Sequence, residues 1–551
     1  MRPAPIFRQA ASRLSALLAI VAVESAIAQD PIAPEMVVDP PGRVARLSYV
    51  EGQVSLAPAE SEDWADALLN RPLTSGDRLW LDSDARAELE VGSATVHLDH
   101  GTGFGFVQLG DAIMQMSLTE GAATIRVRTL AERESIQVET PNASVLLRRS
   151  GEYHFEIDAS GDRTIVKARS GEAEIRGGAK FYVLRANEEG VFTGLDDLSA
   201  RIGPIAPRTA FEAWANDRAR REDLSVSSRY LSREVIGHED LDDYGEWLHE
   251  PAYGYVWRPL HVAYGWAPYR YGRWVWVGPW GWTWIDDARW GFAPFHYGRW
   301  THLRNSWCWV PGPRHLRPVY APALVGWTGG SPASLSQGFD RSIGWFPLAP
   351  HEVYVPGYRH TPRHIRRVNL SNTVIVNNAQ ITNAYTARDG QQNYRHRGDA
   401  NAVTVVQQDR FIGGRPVGDQ RLPLNDRELR GWQYNPRPPA LAPSRESVGN
   451  PAQAAPQFRQ QPTPNYSRQA PPRARVVERE PDTASAAGNP IRQSPRTYSP
   501  PAGYSPGVSS PQTRSSAVEQ SSGGDARPPP PPAQRTQPQS RYESRPSYQQ
   551  P

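Results

Sequence analysis

The 551-residue chain has one cysteine, four methionines and, among 61 basic residues, only two lysines, Lys167 and Lys180. A single cysteine excludes an internal disulfide, so packing must stabilise the fold. Cys308 stands between Trp307 and Trp309, where it reads as a small buried residue and not a nucleophile. Catalytic signatures are missing as well: there is no HExxH, GxSxG, Walker loop or CxxC pair. Gly101, Gly103 and Gly105 lack the spacing of a dinucleotide loop and read as turn residues. Charge of one sign is lacking too. Residues 1–28 carry three arginines and Glu24, so the remainder holds 58 basic against 57 acidic side chains, a balance that points to no nucleic-acid partner.

No apolar run reaches the roughly 20 residues that a membrane-spanning helix needs. The longest, Leu14 to Val23, follows Arg2, Arg8 and Arg13 and precedes Ala26, Ile27 and Ala28. That order is a secretion signal with cleavage between Ala28 and Gln29. The mature product is therefore expected outside the cytoplasm, in the periplasm or beyond the cell of a Gram-negative type bacterium, with no transmembrane segment.

Aromatic residues are plentiful, and 14 of the 18 tryptophans fall between Trp247 and Trp345. Tyr-Gly-x-Trp occurs three times, at Tyr244–Trp247, Tyr271–Trp274 and Tyr297–Trp300, with spacings of 27 and 26 residues. Nine or ten residues after the motif tryptophan come Tyr255 and Trp257, Trp282 and Trp284, and Trp307 and Trp309. Spacing by two puts side chains on one face of a strand, so each copy reads as a β-hairpin in a repeat over 240–360. Two readings of the rings follow. Stacked hairpins can bury them as a shared core, each ring removing on the order of 150–250 Å² from water. Alternatively, Tyr271, Arg273, Trp274, Trp276, Trp282, Trp284, Tyr297, Arg299 and Trp300 form a ligand platform of π faces and guanidinium groups. The number of rings exceeds what a small core easily hides, so some exposure is expected.

Residues 44–195 alternate apolar and polar in short runs punctuated by Gly76-Asp77, Ser170-Gly171 and Gly177-Gly178, the cadence of a β-sandwich or β-roll. Trp64, Pro72, Leu73, Ser75 to Leu79, Arg86 to Leu89, Glu139 to Pro141, Gly151 to Tyr153 and Ser170 to Glu172 make this part resemble the FecR-type domain. The resemblance implies a periplasmic role in passing a signal from an outer-membrane transporter to a sigma factor. That role also requires a transmembrane helix and a cytoplasmic segment, neither of which is apparent in the sequence. A helical linker is expected over 208–236, with Thr209 and Glu212 spaced as a capping box. Glu239, Asp240, Asp242 and Asp243 then form an acidic cluster that reads as a solvated turn, lacking the pattern of a calcium loop. Histidines near the repeats, His296 among them, show no metal-ligand spacing, and no cofactor is expected. Asp286 and Asp287 are the best candidates for acid chemistry on a glycan, though as neighbours they read more readily as a turn cap.

The aromatic segment carries a second resemblance through Tyr230 to Ser232, Asp240 to Trp247, Trp266 to Trp274, Trp280 to Trp284, Trp290 to Trp300, Trp309 to Gly312 and Trp345 to Pro350. It is similar to exported bacterial proteins in which a FecR-type domain precedes a Trp- and Tyr-rich domain of unknown function. Residues 361–430 read as a partly ordered arm. From 431 onward, 25 prolines among 121 residues, with 14 arginines against seven acidic residues, read as a disordered tail able to lie on an anionic surface. The fold class expected is mainly β. The leading function is a non-enzymatic binding or scaffold protein contacting an envelope polymer or protein. The alternative is a periplasmic signalling component, and the third option is a glycan-active enzyme.

Overall fold

The computed structural model describes residues 37–449, apart from 60, 62, 330–340, 376–378, 387–392, 426–428 and 430–431. The expected secretion signal and the tail from 450 lie outside the described residues. The described chain is mainly β. Its first part holds 17 strands in two sheets joined by one long strand, Ile113–Val127. Residues 113–120 of that strand pair in one sheet and 121–127 in the other, with the passage at Gly121 (φ +88°). After it the chain alternates by hairpins: Ser135–Glu139 with Ser144–Leu147, Gly151–Ile157 with Arg163–Ser170, Glu172–Gly177 with Lys180–Arg185, and Glu188–Thr193 with Ser199–Pro204. Successive hairpins join opposite sheets, so every crossing encloses the same core.

Alternation explains that core. Ile136 and Val138, Val145 and Leu147, and Met114, Met116 and Leu118 all turn inward at strand spacing, and with Leu89, Val96, Phe155 and Val166 they form one cluster. The first part opens with two strands, Ala45–Glu51 and Val54–Ala57, parted at Gly52, and one detail differs from the sequence reading. Gly103 and Gly105 are not turn residues but lie inside the strand Gly103–Leu109, where a Cβ on Gly105 would stand 3.1 Å from the Ser117 hydroxyl. Close cross-strand approach selects glycine there.

The helix Ala210–Leu224 follows, capped by reciprocal hydrogen bonds between Thr209 and Glu212. Phe211 and Ala215 on its inner face are buried. Four hairpins come next, not three: Gly245–Glu250 with Gly254–Pro259, Gly272–Val277 with Gly281–Asp286, Arg299–Leu303 with Ser306–Val310, and Val325–Gly329 with Ser342–Pro347. Each sets one tryptophan directly opposite another: Trp247 and Trp257, Trp274 and Trp284, Trp300 and Trp309, Trp327 and Trp345. The first and third hairpins join through Trp257 and Trp309, the second stands as its own sheet, and the fourth gains strands Thr404–Gln407 and Gln433–Asn435. The hairpins therefore do not stack in a single row.

The residues read as an arm complete this core. Phe411 lies 5.6 Å from Trp274, 4.4 Å from Trp282 and 5.9 Å from Trp327, ring centre to ring centre. Regular structure also continues past 431, in Gln433–Asn435 and the short helix Arg445–Val448. Composition placed the boundary too early because Trp432 and Tyr434 supply the rings that anchor this strand.

The motif glycine now has a cause. A Cβ on Gly272 would collide with the Ile285 carbonyl and lie 2.6 Å from the Trp284 ring, and one on Gly298 would collide with Nε1 of the Trp309 ring. At Gly245 the same position falls inside the Trp257 indole. Gly272→Ala should cost about 2 kcal/mol or more in urea unfolding, since the second indole has nowhere to move. Gly329→Ala, with open space at its Cβ, should change stability by less than about 0.5 kcal/mol.

Candidate functional site

Six of the nine residues expected to meet a ligand are buried: Trp274, Trp282, Trp284, Tyr297, Arg299 and Trp300. As a platform the set is corrected, because these side chains are core. Trp274 packs edge-on against Trp284 at 5.5 Å and against Trp345 at 5.4 Å. Several of the buried indole N–H groups are tied to the backbone: Trp300 donates to the Pro294 carbonyl at 2.8 Å and Trp309 to the Tyr297 carbonyl at 2.7 Å. Arg299 donates to the carbonyls of Glu352 and Gly298 and to Asn369 Oδ1, so its charge is spent inside the fold. Burial pushes its pKa down to about 10. Tyr271, Arg273 and Trp276 remain half-buried.

Trp276 faces its cross-strand partner Trp282 at 5.6 Å, nearly perpendicular. With the Val277, Gly278, Pro279 turn it forms one wall of a groove of about 560 Å³. Pro40 and Pro41 also line it, and the sandwich supplies Ser75, Asp77, Gln108 and Asp111. This polar rim is fixed. Asp111 accepts from Gly42 N at 2.8 Å and from Arg367 Nη2 at 2.7 Å. Asp39 accepts from the Thr361 N–H at 2.6 Å and its hydroxyl at 2.8 Å. Burial alone would push the Asp111 carboxyl up, but Arg367 and the Gly42 N–H outweigh it and hold it below the usual range. A half-exposed indole between ordered carboxylates and amides can take the flat face of a sugar or a peptide and hydrogen-bond its edge. The sequence reading included Trp276 but not the groove, which is built from segments as far apart as Asp39 and Val448.

The other candidates find structural partners. Asp286 is buried and accepts from the Trp284 indole at 3.0 Å and from Ala288 N at 3.0 Å, while Asp287 is exposed beside Arg273 at 3.9 Å. The two carboxyls do not converge. His296 is buried with Nδ1 against the Ala321 carbonyl, and burial pushes its pKa down to about 3. Cys308 is buried, and burial pushes its thiol up to about 11. Among the described residues no group of three or more His, Cys, Asp or Glu is placed to hold a metal ion. No helix among them is long and apolar enough to cross a membrane.

The acidic cluster is solvated only at Asp242 and Asp243, and each of its carboxyls accepts hydrogen bonds or pairs with arginine. Asp240 accepts from the fully buried Arg46 at 2.5 Å, Asp242 accepts from the N–H groups of Val226 and Ser227, and Asp243 pairs with Arg221. Arg46 also meets Glu90 at 3.5 Å and Glu239 at 3.8 Å, and donates to Asn70 and to the Arg289 carbonyl. This charged knot closes the seam between the two-sheet part and the aromatic hairpins.

Fold and site together define a class: a β-rich protein whose repeated tryptophan hairpins build a core beside a preformed groove. A family of unknown function, DUF6600, matches residues 238–352, which spans the first three hairpins and ends just past the fourth. No curated protein gives a significant match to the chain. Among solved structures the chain is similar to two crystal structures of a candidate anti-sigma factor from Parabacteroides distasonis ATCC 8503, one at 2.50 Å and one at 1.65 Å. Identities are 18% and 17%, each likeness covers 22% of this chain and 58% of that one, and the TM-score is 0.21 in both. A likeness of that size assigns neither fold nor role.

The seam predicts a pH dependence. Burial first, then the neighbouring Glu90 carboxylate and a hydrogen bond to it, push the Glu239 carboxyl well above its ordinary 4.5. A raised carboxyl binds its proton more tightly in the folded state, so its contribution is complete below about pH 4.5 and is lost as pH rises through the folded pKa. Glu239→Gln keeps a donor toward Glu90 without a titrating proton. Chemical unfolding across pH should show a flatter decline on the alkaline side for this variant than for the parent.

Proposed function

We propose that the chain is an exported, non-enzymatic binding or scaffold protein of the bacterial cell envelope, and that it contacts an envelope polymer through the groove at Trp276. One observation carries this reading: Trp276 is the half-buried ring of its hairpin, and it lines a groove whose polar rim is already ordered. Buried tryptophans make that wall rigid, which lowers the ordering cost of binding. Export rests on the Arg2 to Ala28 signal pattern. The hydrogen bonds of Asp286 to Trp284 and Ala288 favour a structural role for that carboxyl over acid chemistry. A periplasmic signalling role rests on the FecR-type sequence resemblance alone.

The test is co-sedimentation of the chain from residue 29 onward with insoluble peptidoglycan, with lipopolysaccharide vesicles and with envelope extract. Binding to one of them should weaken about fivefold in Trp276→Ala, the loss of roughly 1 kcal/mol of stacking. Circular dichroism should stay unchanged. Absence of binding to all three, or equal binding by the variant, contradicts the reading.

A further inference from the structure

Buried arginines in this fold are heavily compensated, with one exception. Arg46 meets three carboxylates. Arg270 donates to three carbonyls and to the Thr404 hydroxyl, and Arg299 to two carbonyls and an amide. Arg71 is 5% exposed, yet the hydrogen bond it donates runs from Nη2 to the Val448 carbonyl at 3.0 Å, and its Nε has no partner. A guanidinium has five N–H donors, so Arg71 is sparsely hydrogen-bonded for a buried charge, although the Asp77 carboxylate acts on it electrostatically.

Arg71 lines the groove at Trp276 and also a second cavity, of about 240 Å³. Arg273 from the second hairpin and Arg415 from the segment after Phe411 line it as well. Leu56, Leu68 and Val275 form an apolar wall, which strengthens charge interactions beside it. Asp66 and Glu446 also contribute to the lining, but both are exposed. The lining itself carries three arginines against Asp66 and Glu446, with Asp77 acting on Arg71 and Asp287 on Arg273 from outside it.

We infer that the cavity between Arg71, Arg273 and Arg415 binds a small oxyanion, a carboxylate or phosphate group carried by a ligand. Two oxygens on one atom match the fork of the Arg71 guanidinium. The exposed Arg415 closes on the anion from outside, and Arg273, held only at 3.9 Å by Asp287, turns toward it. Trp276 does not line this cavity, while Arg71 lines both it and the groove, so Trp276→Ala separates a failure of the groove reading from a failure of this one.

The experiment is calorimetry and thermal melting of the chain from residue 29 onward with inorganic phosphate, with malonate, and with chloride at equal ionic strength. Phosphate or malonate should bind and raise the melting temperature where chloride does not. A response to one alone says which oxyanion the site takes. Arg415→Ala, at an exposed position, should weaken binding about tenfold, the worth of a charge-assisted hydrogen bond. Arg71→Met should abolish it and, without anion, melt no lower than the parent. The inference is overturned if chloride acts equally, if either variant keeps the parent's affinity, or if Arg71→Met melts well below the parent in anion-free buffer.

Discussion

An indole laid across a glycine is the contact on which the aromatic part of this protein depends. In each Tyr-Gly-x-Trp hairpin the tryptophan of the return strand lies where a side chain on the motif glycine would stand. Without a Cβ there, two cross-strand tryptophans can face each other and sink below the surface together. The repeat is therefore a packing rule before it is a recognition rule. Neighbouring strands, the Phe411 ring and the indole hydrogen bonds to backbone carbonyls are consequences of having to close over such large faces.

The charged seam and the aromatic core contribute differently. Burying a tryptophan or tyrosine contributes roughly 3 kcal/mol, whereas a buried ion cluster such as the one around Arg46 comes close to neutral after desolvation. Stability thus comes mainly from the rings. The Arg46 knot, with Glu90, Glu239 and Asp240, fixes how the hairpins sit against the two sheets, since removing one partner leaves a charge stranded. That fixed junction sets the shape of the groove at Trp276 and of the cavity at Arg71, both of which draw walls from either side.

Much of this was legible in the sequence where the cause is local. Period-two alternation at Ser135–Glu139 and Ser144–Leu147, the Thr209 and Glu212 cap, and the paired rings at 274 and 284 each follow from neighbours a few residues apart. What failed to show depends on distance. The fourth hairpin has Val325 where the motif has glycine, and its tryptophans are 18 positions apart, so it escapes the repeat. Asp240 finds Arg46 194 residues away, and Trp274 finds Phe411 across most of the hairpin region. Ring exposure could not be read from ring count, because residues beyond 400 bring the cover.

The central claim is that the repeated rings are structure, and that contact is left to the few at the groove. Hydroxyl-radical footprinting of the folded chain, read tryptophan by tryptophan by mass spectrometry, tests it most directly. Trp276 should oxidise several-fold faster than Trp274, Trp284, Trp300, Trp309 and Trp345. Oxidation of those five at the rate of Trp276 would contradict the account.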